Sequence, residues 1–295
     1  MKNCYFILGF GYTAEFLAKK LIEFDLQVIG TTRSSEKIGF YPHSNYELVN
    51  FSAASVEKYL KIATHVLVSI PPAEEKGDLI LANFSDLIKK LSHQIKWLGY
   101  LSSTSVYGNH QGDWVDETSE SILPSKQGLL RLDAEKAWFS LANDYRLPLH
   151  IFRLAGIYGP TRSALVKLLR GKKETIYKKG HFFSRIHVED IVSALVASIK
   201  KPHPISIYNI ADDEPAPSYV IDDYAASLLN MPPITKIPFE IAKLSPVQKE
   251  FYLHNRRVCN SKMKKDLLVK LKYPTYREGL NKLLKDEVHL LCEKK

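Results

Sequence analysis

The sequence predicts an α/β fold: a doubly wound parallel sheet with helices on both faces, followed by a smaller, mainly helical C-terminal domain. Three observations predict it. Short apolar runs alternate with segments of helical periodicity through the first half of the chain. A glycine-rich turn directly follows the first of those runs. After Leu154 the alternation breaks down and Gly and Pro punctuate more often, as in Gly156–Pro160, Pro202–Pro204 and Pro215–Pro217.

Taken in order, Lys2–Leu8 reads as a short buried strand. Thr13–Phe24 is a helix by the spacing of Ala14, Phe16, Leu17, Leu21 and Phe24. Leu26–Gly30 and His65–Ile70 are the next clear strands, and Asp78–Leu91 is a helix. Trp97–Ser103 is a strand, Asp133–Asn143 a helix and Leu149–Leu154 a strand. Strands and helices alternating at this spacing build βαβ units, which require a parallel sheet covered on both faces. The stretch from Ala216 to Lys295 reads as mainly helical with loops. The expected division is a dinucleotide-binding domain of residues 1–155 plus about 184–213, and a smaller substrate or partner domain of about 156–183 and 214–295.

Composition narrows the function classes. The chain has 295 residues, 45% hydrophobic and 25% charged, which is ordinary for a globular protein. No apolar run approaches the roughly 18 residues that span a membrane. Met1–Phe10 is apolar, but Gly9 and Gly11 cut it short and no small-residue cleavage site follows, so a signal peptide is not expected. Cys4, Cys259 and Cys292 are too few and too widely spaced for a disulfide framework or a metal site, and they fit a reducing cytoplasm. The net charge of +9 gathers at Lys172-Lys173, Lys178-Lys179 and Lys262–Lys265. Those clusters read as solvated faces, with attraction to an anionic small molecule as the second reading. They are too scattered, and too bare of motif, for a nucleic-acid surface.

Gly9-Phe10-Gly11-Tyr12-Thr13-Ala14 is a G-x-G-x-x-A turn between the first strand and the first helix. Gly9 permits the tight turn, Gly11 leaves room for a pyrophosphate against the backbone, and Ala14 lets helix and strand pack closely. The helix N-terminus then offers N–H groups and a positive dipole end to the anion. The turn predicts a Rossmann domain that holds NAD(H) or NADP(H). The second strand continues into Thr31-Thr32-Arg33-Ser34, with no carboxylate where an NAD site places one for the ribose 2′-hydroxyl. A guanidinium with neighbouring hydroxyls suits a 2′-phosphate, so NADP(H) is preferred. If Arg33 stacks on adenine instead, NAD(H) remains open.

Four further segments carry a family resemblance: Leu101–Gly108 (LSSTSVYG), Arg153–Pro160 (RLAGIYGP), Ile186–Ile191 (IHVEDI) and Tyr208–Ala211 (YNIA). Together with the glycine turn they run in the order of the extended short-chain dehydrogenase/reductases, the epimerase/dehydratase-like group, which the chain resembles. The resemblance implies that Ser103 stands at the catalytic Ser/Thr position. It also implies that Ser69, Ile70, Pro71, Ser102, Leu154, Gly156 and Ile157 lie along the cofactor with Gly9–Thr13 and Thr32–Ser34. In that family a Tyr-x-x-x-Lys pair exchanges a proton with the substrate, but here Gln127 stands at the Tyr position and Arg131 at the Lys position. No tyrosine occurs between Gly108 and Asp144. An amide does not exchange a proton at neutral pH, and an arginine stays charged, although Gln127 and Arg131 could still contact the cofactor. Lys126 lies one residue away from Gln127, on a different helix face. Thr104 and Ser105 replace the Asp-Glu pair of the family's dehydratases, which disfavours sugar-nucleotide dehydration. Val68–Pro72 and Leu267–Gly279 are similar to the YeeZ-like branch, which lacks the catalytic pair.

Other candidates are weaker. Asp113, Asp116 and Glu117 could supply a replacement acid, yet acidic loop residues are usually only solvated. Tyr107 reads as a packing residue of its turn. His187, Glu189 and Asp190 lack the second histidine of a zinc-type pair and, by the resemblance, shape an inner wall between two domains. His65, His150 and His181 stand alone. No Gly-x-Ser-x-Gly elbow or Cys-x-x-Cys pair is present. Two functions stay open: an NADP(H)-dependent oxidoreductase or epimerase-like enzyme with a non-standard acid/base, acting on a small anionic or sugar-type substrate, and a non-catalytic NAD(P)(H) sensor or regulatory binding protein. Analogy with the family adds a homodimer; membrane and nucleic-acid partners are not expected.

Overall fold

Cys4–Leu8 (β1) is buried at all five positions, as a central strand of a parallel sheet must be when both its faces are covered. The computed structural model describes residues 3–34, 36, 38, 43–202 and 205–292. Lys2 of the predicted first strand, Pro204 of a predicted break and the last three residues of the C-terminal helical stretch lie outside them. After β1 come α1 (Tyr12–Ile22), β2 (Gln27–Thr32), β3 (Tyr46–Asn50), α2 (Ala53–Leu60), β4 (His65–Val68), α3 (Leu79–Lys90) and β5 (Trp97–Ser103). Next are β6 (Trp114–Val115), α4 (Lys126–Tyr145), β7 (Leu149–Leu154), β8 (Gly156–Tyr158), α5 (Ala164–Leu169), β9 (Glu174–Tyr177) and β10 (Arg185–His187). The chain ends with α6 (Val188–Lys200), β11 (Ser206–Ile210), α7 (Ser218–Leu228), β12 (Thr235–Pro238), α8 (Pro246–Leu253), β13 (Arg257–Val258), α9 (Ser261–Leu267) and α10 (Tyr276–Cys292).

Seven strands form one parallel sheet in the order β11-β7-β5-β4-β1-β2-β3. The chain moves outward from β1 to β3, then returns to lay β4 on the other side of β1, with Tyr5 paired to both Val28 and His65. That reversal makes the crevice at the carboxyl ends of β1 and β4 the topological switch point, where open α/β sheets bind ligands. Local chemistry sets the helix starts. The Asp78 carboxylate caps α3 by accepting from the N–H groups of Ile80 and Leu81 at 2.9 and 3.0 Å, and the Ser52 hydroxyl caps α2 through Ser55 N–H.

The predicted strands Trp97–Ser103 and Leu149–Leu154 match β5 and β7 in full. Among the strands and helices of the seven-stranded sheet, β3, α2, α6 and β11 escape the sequence reading. Only Leu48 is buried along β3, and eight-residue α2 is too short for a firm period. Helix α4 starts seven residues before the predicted Asp133. Its buried face includes Gly128 and Glu135 beside Ala134, Trp138, Leu141 and Ala142, so polar and apolar residues are not sorted to opposite sides.

The chain divides into two compact units. The first comprises Met1–Ser103, Lys126–Arg153 and Val192–Tyr208; the second comprises Thr104–Ser125, Leu154–Ile191 and Asn209–Lys295. In the first, a core including Phe6, Leu8, Val66, Val68, Tyr100, Trp138 and Ile151 fills the space between sheet and helices. In the second, Tyr158, Leu165, Leu168, Ile221, Ala225, Tyr276, Leu280 and Leu283 form a separate helical core. The second unit is mainly helical, as predicted, but also holds three two-stranded ribbons, β8–β10, β9–β12 and β6–β13. Their strands of two to four residues are too short to show a period of two.

Buried histidines make the fold sensitive to acid. Burial lowers His65, His181 and His187 from the usual 6.5 to about 4 each. Between those values the unfolded chain takes up protons that the folded chain refuses, so these groups remove stability as the pH falls from about 6.5 toward 4. In an NMR titration the three imidazoles should stay neutral down to about pH 5. Titration of all three near 6.5 would show that they are solvated and would contradict the packing described.

Candidate functional site

The turn after β1 is assembled mainly by backbone. Gly9 takes φ +94°, and a Cβ there would lie 2.7 Å from Ile70 Cγ1 and 3.1 Å from Ile70 N. Only glycine permits both that dihedral and that approach. The structure thereby brings Gly9 against Ser69 and Ile70 at the end of β4, where Ser69 N–H donates to Leu8 O at 2.9 Å. Gly9 N–H donates to the Thr31 hydroxyl at 2.9 Å and Phe10 N–H to Thr31 O at 2.7 Å, which fastens the turn to β2. Sequence reasoning missed Thr31; its only signal is a buried hydroxyl on a strand flanking the turn.

Beyond Gly9 the turn opens. Gly11 is the N-cap of α1, no side chain caps that helix, and a Cβ on Gly11 would meet no described atom within 4 Å. The first turn of a helix carries N–H groups without intrahelical acceptors, and it attracts anions. Uncapped and without a side chain at its mouth, this end fits the pyrophosphate of a dinucleotide. Phe10 is turned inward instead: it is buried against Tyr46, with ring centroids 5.6 Å apart, and a Cβ on Gly30 would strike its ring at 2.6 Å. Phe10 therefore offers a ligand its backbone alone. Thr13 is also buried, and Tyr12 packs on Phe16.

At the end of β2, Thr32 is buried and its hydroxyl accepts from Ser34 N–H at 3.1 Å. Arg33 is exposed and has no hydrogen bond or ion pair among the described residues. An unengaged guanidinium beside two hydroxyl-bearing residues is an available phosphate donor.

Beyond β5 the side chains are more committed. The Ser102 hydroxyl donates to Glu135, and Glu135 forms a buried pair with Arg153, at 2.8 Å from Nη2 to Oε2. The Ser102 hydroxyl hydrogen is thereby spent on Glu135. Ser103 is half-buried at the last position of β5. Gln127 and Arg131 both lie on α4, four residues apart and so on one face. The Arg131 guanidinium donates to Leu101 O, drawing it toward β5. Burial raises the phenol of neighbouring Tyr100 far above the usual 10, which removes it as an acid near neutral pH. Pro71 lies in the segment after β4, and nearby Glu74 pairs with Lys126 at 2.6 Å.

The remaining candidates belong to the second unit. Leu154 is buried, while Gly156 N–H donates to Ser184 O at 3.1 Å in the ribbon that pairs Ile157 with Ile186. Tyr107 is buried and donates to Asn209 Oδ1 at 2.7 Å. The acids on the loop are engaged: Glu117 accepts from Asn209 N–H at 2.7 Å, and Asp116 accepts from the Thr118 N–H and hydroxyl at 2.9 and 2.7 Å. Those bonds to Thr118 hold Asp116 below the usual carboxylate range, whereas burial raises Glu117. Asp113 is exposed. Asp190 accepts from the N–H groups of Lys272 and Tyr273 at 2.7 and 3.0 Å, and Glu189 pairs with Lys272 at 2.6 Å.

The open cradle gives a clean test. Gly11→Asp adds a side chain where there is space, so the melting temperature should change by no more than a few degrees. The added carboxylate should repel a pyrophosphate and weaken dinucleotide binding at least tenfold in a calorimetric titration. Unchanged affinity in a folded variant would remove the cradle from the site.

Comparison with known proteins agrees with this architecture. The profile of the NAD dependent epimerase/dehydratase family matches residues 6–211. Protein YeeZ of Escherichia coli (strain K12) is 31% identical over 171 residues, 57% of this chain and 60% of YeeZ. The Bacillus subtilis (strain 168) uncharacterized UDP-glucose epimerase YtcB is 31% identical over 121 residues, 38% of each chain. The matched stretches thus span less than two thirds of these relatives' lengths. Among solved structures, a functionally unknown conserved protein from Silicibacter pomeroyi DSS is 41% identical, with a TM-score of 0.91 over 97% of this chain and 99% of that one. The dTDP-glucose 4,6-dehydratase of Bacillus anthracis str. Ames, solved in complex with NAD, shares the fold at 18% identity and a TM-score of 0.80, over 97% of each chain. On its profile match over residues 6–211 and its seven-stranded parallel sheet, this chain belongs to the NAD dependent epimerase/dehydratase family.

Proposed function

We propose that this chain binds NADP(H) and acts as an atypical oxidoreductase or epimerase-like enzyme on a small anionic or sugar-type substrate. The observation that carries the reading is the uncapped α1 N-terminus at Gly11, followed at the end of β2 by exposed Arg33, which has no partner among the described residues. Backbone N–H groups at the start of α1 would hold the pyrophosphate, and Arg33 with Thr32 and Ser34 would hold the adenosine 2′-phosphate. When bound, the dinucleotide supplies hydride exchange at its nicotinamide. Ser103 would orient the reacting substrate oxygen by hydrogen bonding. Gln127 can donate and accept hydrogen bonds but is neither an acid nor a base near neutral pH, and a guanidinium is no base either, so the acid/base is non-standard.

One observation favours a second reading, a non-catalytic NAD(P)(H) sensor. The loop carboxylates that could replace the missing tyrosine, Asp116 and Glu117, already accept hydrogen bonds from their own unit. Ser103→Ala separates the two readings. In an enzyme it lowers turnover while leaving dinucleotide affinity intact.

Calorimetric titration with NADPH, NADP⁺, NADH and NAD⁺ tests the cofactor assignment. The native chain should prefer the phosphorylated pair, and Arg33→Ala should reduce that preference by about tenfold or more, as expected for loss of a charge-assisted contact. Absence of dinucleotide binding sinks the proposal, and a preference unchanged in Arg33→Ala sinks its NADP(H) part.

A further inference from the structure

One buried side chain joins the start of α1 to the end of β2, the two places where the proposed cofactor would put its phosphates. Thr31 lies on β2 and is fully buried. A buried hydroxyl without a partner is costly, so a valine of nearly the same shape would suit the strand better unless the hydroxyl is bonded. It is bonded to the turn. The Thr31 hydroxyl accepts Gly9 N–H at 2.9 Å, and the Thr31 carbonyl accepts Phe10 N–H at 2.7 Å. Gly11 N–H donates to Gly9 O at 3.1 Å, and Glu15 N–H to Gly11 O at 3.0 Å starts the helical ladder. The N–H groups from Gly9 to Gly11 are therefore spent on shaping the turn, and those offered to an anion start within α1.

The other phosphate contact hangs on the same strand end. Thr31 pairs with Val49 of β3. Thr32, next in the strand, accepts Phe51 N–H on its carbonyl at 2.8 Å and Ser34 N–H on its hydroxyl at 3.1 Å. Arg33 stands between these two bonded residues and is itself exposed. Crowding by Ile70 limits Gly9 from the β4 side, whereas the bonds that direct the turn run to Thr31. The end of β2 is thus fixed against β3, and the turn is hung on it by one residue.

We propose that Thr31 is a positioning residue for the dinucleotide. Its hydroxyl, acting through Gly9, holds the anion cradle of α1 in register with Arg33, so that pyrophosphate and 2′-phosphate are met together. The inference rests on the NADP(H) reading and deepens it: selectivity for the 2′-phosphate depends on a buried hydroxyl as well as on the guanidinium.

The test titrates the full chain with NADPH and with NADH by calorimetry, in native form and as Thr31→Val, Thr31→Ser and Ser198→Ala. Thr31→Val keeps the shape and removes the acceptor. It should weaken NADPH about fivefold or more, and weaken it more than NADH, although Arg33 is intact. Thr31→Ser restores the hydroxyl and should restore both affinity and preference. Ser198→Ala removes another fully buried hydroxyl, one that accepts Trp97 Nε1–H at 2.7 Å, and should lower the melting temperature with NADPH affinity retained. A native chain that binds neither dinucleotide, or both equally, fails the NADP(H) reading and this inference with it. A native preference for NADPH that survives in folded Thr31→Val fails this inference alone. Equal weakening of both dinucleotides, no rescue by Thr31→Ser, or an equal loss in Ser198→Ala also overturns it. If Thr31→Val does not fold, amide exchange on the native chain decides. The Gly9 amide should be protected before any ligand is added, and free exchange there overturns the proposal.

Discussion

At Gly9 the chain turns with φ +94° while the backbone of Ile70 passes close enough to exclude a Cβ. This contact joins the carboxyl ends of β1 and β4, the two strands at the switch point of the sheet. It also allows α1 to begin at once, with Gly11 as its N-cap and open space where a side chain would stand. The tight place and the open place are two residues apart and have opposite requirements. At Gly9 glycine is needed for backbone strain and crowding, whereas at Gly11 it leaves room for a partner. Phe10 between them anchors the turn by burying its ring against β2 and β3, so its bulk is no obstacle to a ligand.

The helix that carries the family's proton-transfer pair is held on the sheet by buried polar contacts. Ser102, Glu135 and Arg153 tie α4 to β5 and β7, Trp138 donates to Asp78 at 3.0 Å, and Arg131 reaches Leu101 O. Removing one partner of a buried ion pair typically costs about 3–5 kcal/mol, so the Glu135–Arg153 pair resists change. Arg131, which the resemblance puts at the family's lysine position, is part of that frame. Gln127, which the resemblance puts at the tyrosine position, makes no side-chain hydrogen bond or ion pair among the described residues.

Much of the fold is legible in the sequence because β1 and β5 are apolar over five residues, β7 is apolar but for His150 and Arg153, and the helices between them are periodic. The glycine turn is legible because its requirements are local: two glycines and an alanine at fixed spacing. What is not legible is non-local or chemically mixed. Thr31 meets Gly9 across 22 positions, and Arg153 meets Glu135 across 18. The start of α4 is hidden because a buried carboxylate and a buried glycine disrupt its apolar stripe. The loop acids also show the limit: Asp116 and Glu117 read as free acids in sequence, while their geometry makes one a turn cap and the other a backbone acceptor.

The dinucleotide is proposed to sit at the β1–α1 turn, with the end of β4 beside it. Amide hydrogen exchange on the full chain with and without saturating NADPH tests it most directly. Slowed exchange should concentrate at Gly9–Ala14 and at Ser69–Ile70, because those N–H groups either meet the ligand or are locked by it. NADPH that binds and leaves exchange at these amides unchanged, while protecting another part of the chain, would contradict it.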